Sequence, residues 1–223
     1  MRTHQNPLFA DQADAHADMS TLESPTVFVD RRRGKTAKRM IRDARRMDTA
    51  AEAVADFDHE TTIHGLTKGQ FSLIDVLTAL IKTTGPASLD ISTWTAAKTD
   101  VTTVCQWLRT GGLTSSRWLV DLTFQRRTPE LATLIRELFG REAIRVAQNH
   151  CKFAILRNEE WAVVIQTSMN LNFNPRFENF TVAHDEELAG FYGEIFDEIW
   201  EKQSRSIASN RPYDIHKHFA NDL

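Results

Sequence analysis

The stretch NHCKFAILRNEEWAVVIQTSMNLNFNPRFENF, residues 149–180, concentrates the side chains of this chain that are equipped for chemistry. Its β-rich runs flank a short Arg157, Asn158, Glu159, Glu160 connection, a spacing that fits a hairpin. Side chains alternate faces along a strand, so His150 and Lys152 are expected on one face, with Cys151 and Phe153 in the opposite layer. The second run is expected to end at Thr167 and Ser168, bringing Asn170 to the same end of the sheet, followed by Glu178. Imidazole, ammonium, hydroxyl and amide together suit a phosphodiester. They supply a nucleophile or acid, a positive charge for nonbridging oxygens, and neutral donors to hold them.

The spacing is specific. His150 and Lys152 stand as His-x-Lys, Ser168 and Asn170 as Ser-x-Asn, and Glu178 with Asn179 closes the series. These elements resemble a single copy of the motif of the phospholipase D superfamily: His-x-Lys, four residues, Asp, then Gly-Ser-x-Asn and a downstream Glu-Asn. Two positions depart from it, with Arg157 where the motif has Asp and Thr167 where it has Gly. The order of strands and helices over residues 66–202 also resembles one catalytic half of the family, roughly 60% of the chain.

The resemblance implies catalytic roles for His150, Lys152, Ser168, Asn170 and Glu178, in a two-step reaction with no metal and no cofactor. One histidine attacks phosphorus to give a phosphohistidine and a second protonates the leaving oxygen. Lysine and asparagine hold the phosphate oxygens, and the glutamate orients its histidine. Imidazole suits the division, since a group with an ordinary pKa of about 6.5 serves as base or acid according to its surroundings. With one copy of the motif in the chain, the second histidine must come from another chain, which implies a homodimer with the site on its two-fold axis. The missing Asp falls at the hairpin turn, where Asn158 can accept some of the backbone N–H bonds.

The elements around the motif read as α/β. Helices are expected over 71–83, 98–108, 128–139 and 185–202, and strands over 89–94, 117–124, 143–156 and 161–168. This order predicts a phospholipase-D-like mixed, mainly parallel sheet flanked by helices. In the last helix Leu188, Phe191, Ile195, Ile199 and Trp200 are expected inward, with Glu187, Glu194, Glu198 and Glu201 outward. Residues 35–57 lack Pro and predict a basic helical extension with a narrow stripe of Met40, Ile41, Ala44, Met47, Ala51 and Val54. The expected organisation is an arm and basic helix over 1–58, an α/β domain over 59–203 and a tail over 204–223.

Composition bounds the function further. The 223 residues, 41% hydrophobic and 26% charged, exclude collagen-like, disulfide-scaffold and wholly disordered classes. The net charge of −3 conceals a cancellation: residues 31–46 hold nine of the 27 basic residues and one acid, Asp43, leaving 18 basic against 29 acidic elsewhere. Arg31, Arg32, Arg33, Lys35, Lys38, Arg39, Arg42, Arg45 and Arg46 are therefore the expected contacts to a phosphate backbone. The segment has no Gly-x4-Gly-Lys frame for a nucleotide loop and no Trp or Phe to enter a membrane. Two cysteines, Cys105 and Cys151, make no framework, and a buried, inert Cys151 is expected; His59 and His64 lack the spacing of a helical zinc site and are expected to be solvated. No signal peptide or membrane span is legible, so a cytoplasmic location is expected. The leading expectation is a dimeric nuclease acting on DNA or RNA. The alternatives are a catalytically inactive nucleic-acid-binding protein of the same fold, and a dimeric scaffold whose arm binds a protein.

Overall fold

The computed structural model describes residues 37–203. An eight-stranded sheet is built from β1 (Lys38–Arg42), β2 (Thr61–Thr67), β3 (Ala87–Thr93), β4 (Leu113–Asp121), β5 (Ile144–Ala147), β6 (Phe153–Arg157), β7 (Ala162–Thr167) and β8 (Glu178–His184). The strand order is β1-β2-β8-β7-β6-β3-β4-β5. The helices are α1 (Ala50–Ala53), α2 (Leu73–Thr84), α3 (Lys98–Thr110), α4 (Phe124–Arg127), α5 (Pro129–Phe139) and α6 (Glu186–Lys202).

The mixed α/β class with flanking helices is the one expected, but the balance of pairings differs. β1–β2, β3–β4 and β4–β5 are parallel, whereas β2–β8, β8–β7, β7–β6 and β6–β3 are antiparallel. Two strands beyond those expected, β2 and β8, pair with each other and give two of the antiparallel interfaces, β2–β8 and β8–β7, and β6–β3 adds another.

Each face of the sheet has its own apolar layer. On one side Leu73, Val76, Leu77 and Leu80 of α2, Val101 and Val104 of α3 and Ile135 of α5 pack with Ile63, Leu89, Ile91, Leu156, Val163, Ile165 and Phe180 of the strands. On the other, α6 covers Leu119, Ala147, Phe153, Ile155 and Val164 with Ala189, Phe196 and Ile199. A fully buried side chain such as Phe196 stabilises by about 1.5–3 kcal/mol. Helices α2 and α6 begin at side-chain caps. The Ser72 amide donates to Asp75 Oδ2 at 2.8 Å ahead of α2, and the Leu188 amide donates to Asp185 Oδ1 at 2.9 Å in α6.

Four expectations change in the structure. The basic segment is no helix. Lys38–Arg42 is an edge strand parallel to β2, followed by a 3-10 turn at Ala44–Arg46 and the single-turn α1. Helix-favouring composition is a weak preference, and here the β1–β2 ladder with Met40 packed on the core overrides it, leaving Ile41 73% exposed. The expected strand over 143–156 divides into β5 and β6, with residues 148–152 as a connecting loop. Because Cys151 lies in that loop, no strand alternation buries it, and its side chain is exposed. In α6, Phe191 and Ile195 face outward, 41% and 36% exposed, because the helix packs through Ala189, Gly193 and Phe196 instead.

Candidate active site

One edge of the sheet collects the sequence-predicted side chains. The C-terminal ends of β3, β4, β5 and β7 and the starts of β6 and β8 all meet there, as the pairs Ser92↔Phe153, Phe153↔Gln166 and Thr167↔Phe180 require. Loops at the carboxyl ends of parallel strands are the usual place for ligands in open α/β sheets. His150 and Lys152 occupy the β5–β6 loop, Ser168 and Asn170 follow β7, and Glu178 begins β8.

The loop that carries His150 is held by its neighbour. Asn149 is buried; its Nδ2 donates to Ser92 Oγ at 2.9 Å and to Leu119 O at 3.3 Å, while its Oδ1 accepts from the Cys151 amide at 2.9 Å. The Ser92 hydroxyl donates to Cys151 O at 3.0 Å, and the Asn149 amide donates to Asp121 Oδ2 at 3.3 Å. Asn149 was not singled out from sequence, although an Asn whose carbonyl can bond the amide two residues on is a recognisable loop former.

His150 is exposed, and Lys152 is half-buried beside it. Lys152 Nζ lies 3.1 Å from Nδ1 and 3.2 Å from Nε2 of the ring and donates to His150 O at 2.8 Å. Burial pushes the Lys152 ammonium below the ordinary lysine value, against the opposing pull of Cys151 and Glu178. The Trp94 ring flanks His150 with centroids 5.8 Å apart.

Opposite stands a second hydrogen-bonded group. Glu178, 8% exposed, accepts from the Ser168 hydroxyl through Oε2 and from Asn174 Nδ2 through Oε1 at 3.0 Å. Ser168 Oγ in turn accepts from the Asn179 amide at 3.0 Å. The β7–β8 loop reaches this position by crossing Gly69, where φ is +84° and a Cβ would run into the backbone of Asn174, Pro175 and Arg176. Thr167, in the motif's glycine position, uses its hydroxyl to accept from the Met169 amide at 2.9 Å and donate to Asn179 O at 2.7 Å, so the turn forms without glycine. The Thr167 amide donates to Lys152 O at 3.1 Å, joining the two groups through the backbone. Asn170 Oδ1 sits 3.5 Å from Thr93 Oγ1.

Glu178 bonds Ser168 and Asn174, and no hydrogen bond joins it to His150 among the described residues. Arg157, in the motif's Asp position, ends β6 at the opposite sheet edge and donates to Ala189 O of α6. The turn beside it is held by Asn158, whose Oδ1 accepts from the amides of Glu160 at 3.0 Å and Trp161 at 2.7 Å. His59 stacks on Trp161 at that far edge, with ring centroids 3.8 Å apart, and His64 pairs with Thr181. Among the described residues no cluster of three or more His, Cys, Asp or Glu could hold a metal ion, and no helix is long and apolar enough to cross a membrane.

Of the basic segment, Arg31, Arg32, Arg33 and Lys35 lie outside the described residues. Lys38 and Arg39 are exposed on β1, Arg42 pairs with Asp56 at 3.3 Å, and Asp43 takes Arg45 at 2.6 Å and Arg46 at 3.2 Å. The hydrogen bond from Arg45 holds the Asp43 carboxyl below the usual carboxylate range.

No family model matches the chain, and no curated protein matches it. Among solved structures it is similar to polyphosphate kinase from Porphyromonas gingivalis, at 10% identity and a TM-score of 0.49, covering 77% of this chain and 32% of the kinase. The chain therefore spans about a third of the kinase's length. It is also similar to Nuc, a phospholipase D family member from Salmonella typhimurium, at 15% identity and a TM-score of 0.47, covering 63% of this chain and 94% of that one. NucT from Helicobacter pylori is a further similar structure, at 15% identity and a TM-score of 0.41, covering 63% of this chain and 96% of that one.

Proposed function

We propose that the chain is a metal-independent phosphodiesterase acting on nucleic acid, DNA or RNA, with His150 as the nucleophile in a site completed by a second copy of the chain. The observation that carries this reading is the His150–Lys152 pair, an imidazole with an ammonium 3.1 Å away, on the sheet edge that also holds Ser168, Asn170 and Glu178. A ring nitrogen of neutral His150 attacks phosphorus, and the bond to the leaving oxygen breaks as that oxygen takes a proton from the partner copy's histidine. Water then attacks the phosphohistidine, giving its proton to the partner copy's histidine, which lost one in the first step; the P–N bond breaks, releasing the strand with a terminal phosphomonoester and restoring His150. Lys152 and the Asn170 amide offset charge on the nonbridging oxygens during both steps. Glu178 fixes the Ser168 hydroxyl, and its negative charge favours the charged form of Lys152.

A second histidine must be found, and the described ones do not supply it. His59 and His184 cluster with Trp161 at the far edge, and His64 is bonded on β2. The basic residues of 31–46 add sequence-independent affinity for phosphate backbone. The departure at Arg157 leaves this chemistry intact, because β6 separates that residue from Lys152 by its full length. The test is cleavage of labelled single- and double-stranded oligonucleotides in EDTA by the wild type and His150→Ala, with light scattering at micromolar protein. Cleavage by a wild-type dimer alone supports the reading. Oligonucleotide binding without cleavage would reject the enzyme, and a fully active monomer would reject the shared site.

A further inference from the structure

Trp94 and Arg127 stand beside the His150 site without a part in the chemistry above. Trp94 follows β3 at the same sheet edge, and Arg127 closes the single turn of α4 that follows β4. The Arg127 guanidinium carbon lies 3.8 Å from the centroid of the Trp94 ring. Its Nη2 donates to Trp94 O at 2.7 Å and its Nε to Thr123 Oγ1 at 2.9 Å. An exposed arginine ordinarily keeps most of its rotamer freedom, worth about 2 kcal/mol, yet this one is fixed by two hydrogen bonds and a ring. It has no carboxylate partner among the described residues within ion-pair distance, and Nη1 is left without a bond. Asp121, whose carboxylate feels the Arg127 charge, hydrogen-bonds the Thr123 amide and hydroxyl and the Asn149 amide and not the guanidinium.

A cation fixed in advance with a spare donor binds an anion without the usual ordering cost. Ring centroids of Trp94 and His150 are 5.8 Å apart and the guanidinium carbon is 3.8 Å from the Trp94 centroid, so that carbon lies within about 10 Å of the imidazole. A stacked strand advances roughly 3.4 Å per phosphate, which puts a neighbouring phosphate inside that reach. We propose that Arg127, held by Trp94, binds the phosphate next to the scissile one, so that the site selects a chain of phosphodiesters over an isolated diester. This inference rests on the phosphodiesterase reading of the His150 site.

The experiment compares wild type, Arg127→Met and Arg127→Lys. Fluorescence anisotropy of a labelled single-stranded oligonucleotide gives the dependence of log K on log salt, and hydrolysis of bis(p-nitrophenyl) phosphate reports on a diester with no neighbour. Arg127→Met is expected to reduce the magnitude of the salt slope by about 0.7, the share of one phosphate contact, and Arg127→Lys to retain it. Cleavage of the oligonucleotide by Arg127→Met is expected to lose about tenfold in kcat/KM, a change of about 1.4 kcal/mol, while bis(p-nitrophenyl) phosphate hydrolysis stays within twofold. An unchanged salt slope would overturn the assignment, as would an equal loss on both substrates. If wild type cleaves neither substrate, the enzyme reading fails, and the slope still decides whether Arg127 meets a phosphate.

Discussion

The guanidinium of Arg157 fills the space above Gly193: a Cβ built on that glycine would lie 2.5 Å from Nη2 and 2.6 Å from Nη1. The departure from the motif's Asp is thus matched by an absent side chain on α6, and Arg157 uses the space to donate to Ala189 O. Gly193→Ala should gain roughly 0.5–1 kcal/mol of helix propensity but displace this hydrogen bond, worth about 1 kcal/mol, for little net change. In an Arg157→Ala background the same substitution should stabilise by the full propensity gain. A double-mutant cycle by urea denaturation measures the coupling, expected at about 1 kcal/mol, and additive effects would disprove the link. Neither change should alter cleavage in EDTA.

Lys152 gives the site a pH dependence of definite sign. Burial lowers its pKa from the ordinary 10.5, so its positive charge, proposed to meet phosphate, is lost at a lower pH than for a free lysine. KM should therefore rise with pH through a limb below that value. Glu178→Gln removes a charge that opposes the shift and should move the limb to still lower pH, whereas Lys152→Arg should abolish it. The folded pKa lies below the unfolded one, so the unfolded chain binds more protons between them and this group's contribution to stability rises with pH across that window. KM profiles of the three proteins check the order, and an unmoved limb in Glu178→Gln would refute it.

Stability should depend sharply on Arg117. It makes a bidentate pair with Asp90, both bonds at 2.6 Å, reaches Asp197 at 2.6 Å, and lies over the rings of Phe196 and Trp200. Burial works against its charge, but the bonds to Asp90 and Asp197 raise its pKa above the arginine norm. Arg117→Met leaves Asp90 unpaired under α6 and should cost about 3–5 kcal/mol. Arg117→Met with Asp90→Leu should recover a large part of that loss in the denaturant midpoint.

Much of this architecture was legible because its signals are local. The apolar spacing of Leu73, Val76, Leu77 and Leu80, the helix over 185–202 and the Asn158 turn are set within a few residues. The sequence spacing of His150, Lys152, Ser168, Asn170 and Glu178 also located residues that the sheet gathers at one edge. What escaped depends on distant partners. Lys38–Arg42 has the composition of a helix and becomes a strand because β2 is there to pair with it. His150 and Lys152 lie in a loop that Asn149 fastens to Ser92 and Leu119, so no strand period positions them. Arg127 comes near His150 only through Trp94, across residues that no periodicity connects.

Trapping a covalent bond between His150 and phosphorus is the decisive measurement of the proposed mechanism. Oligonucleotide labelled at the scissile phosphate is mixed with protein in EDTA, quenched in alkaline denaturant within milliseconds to seconds, and the labelled peptide is mapped. Wild type is expected to carry an alkali-stable, acid-labile label on the peptide containing His150, and His150→Ala none. Cleavage without a label at His150, or an equal label in His150→Ala, would contradict it.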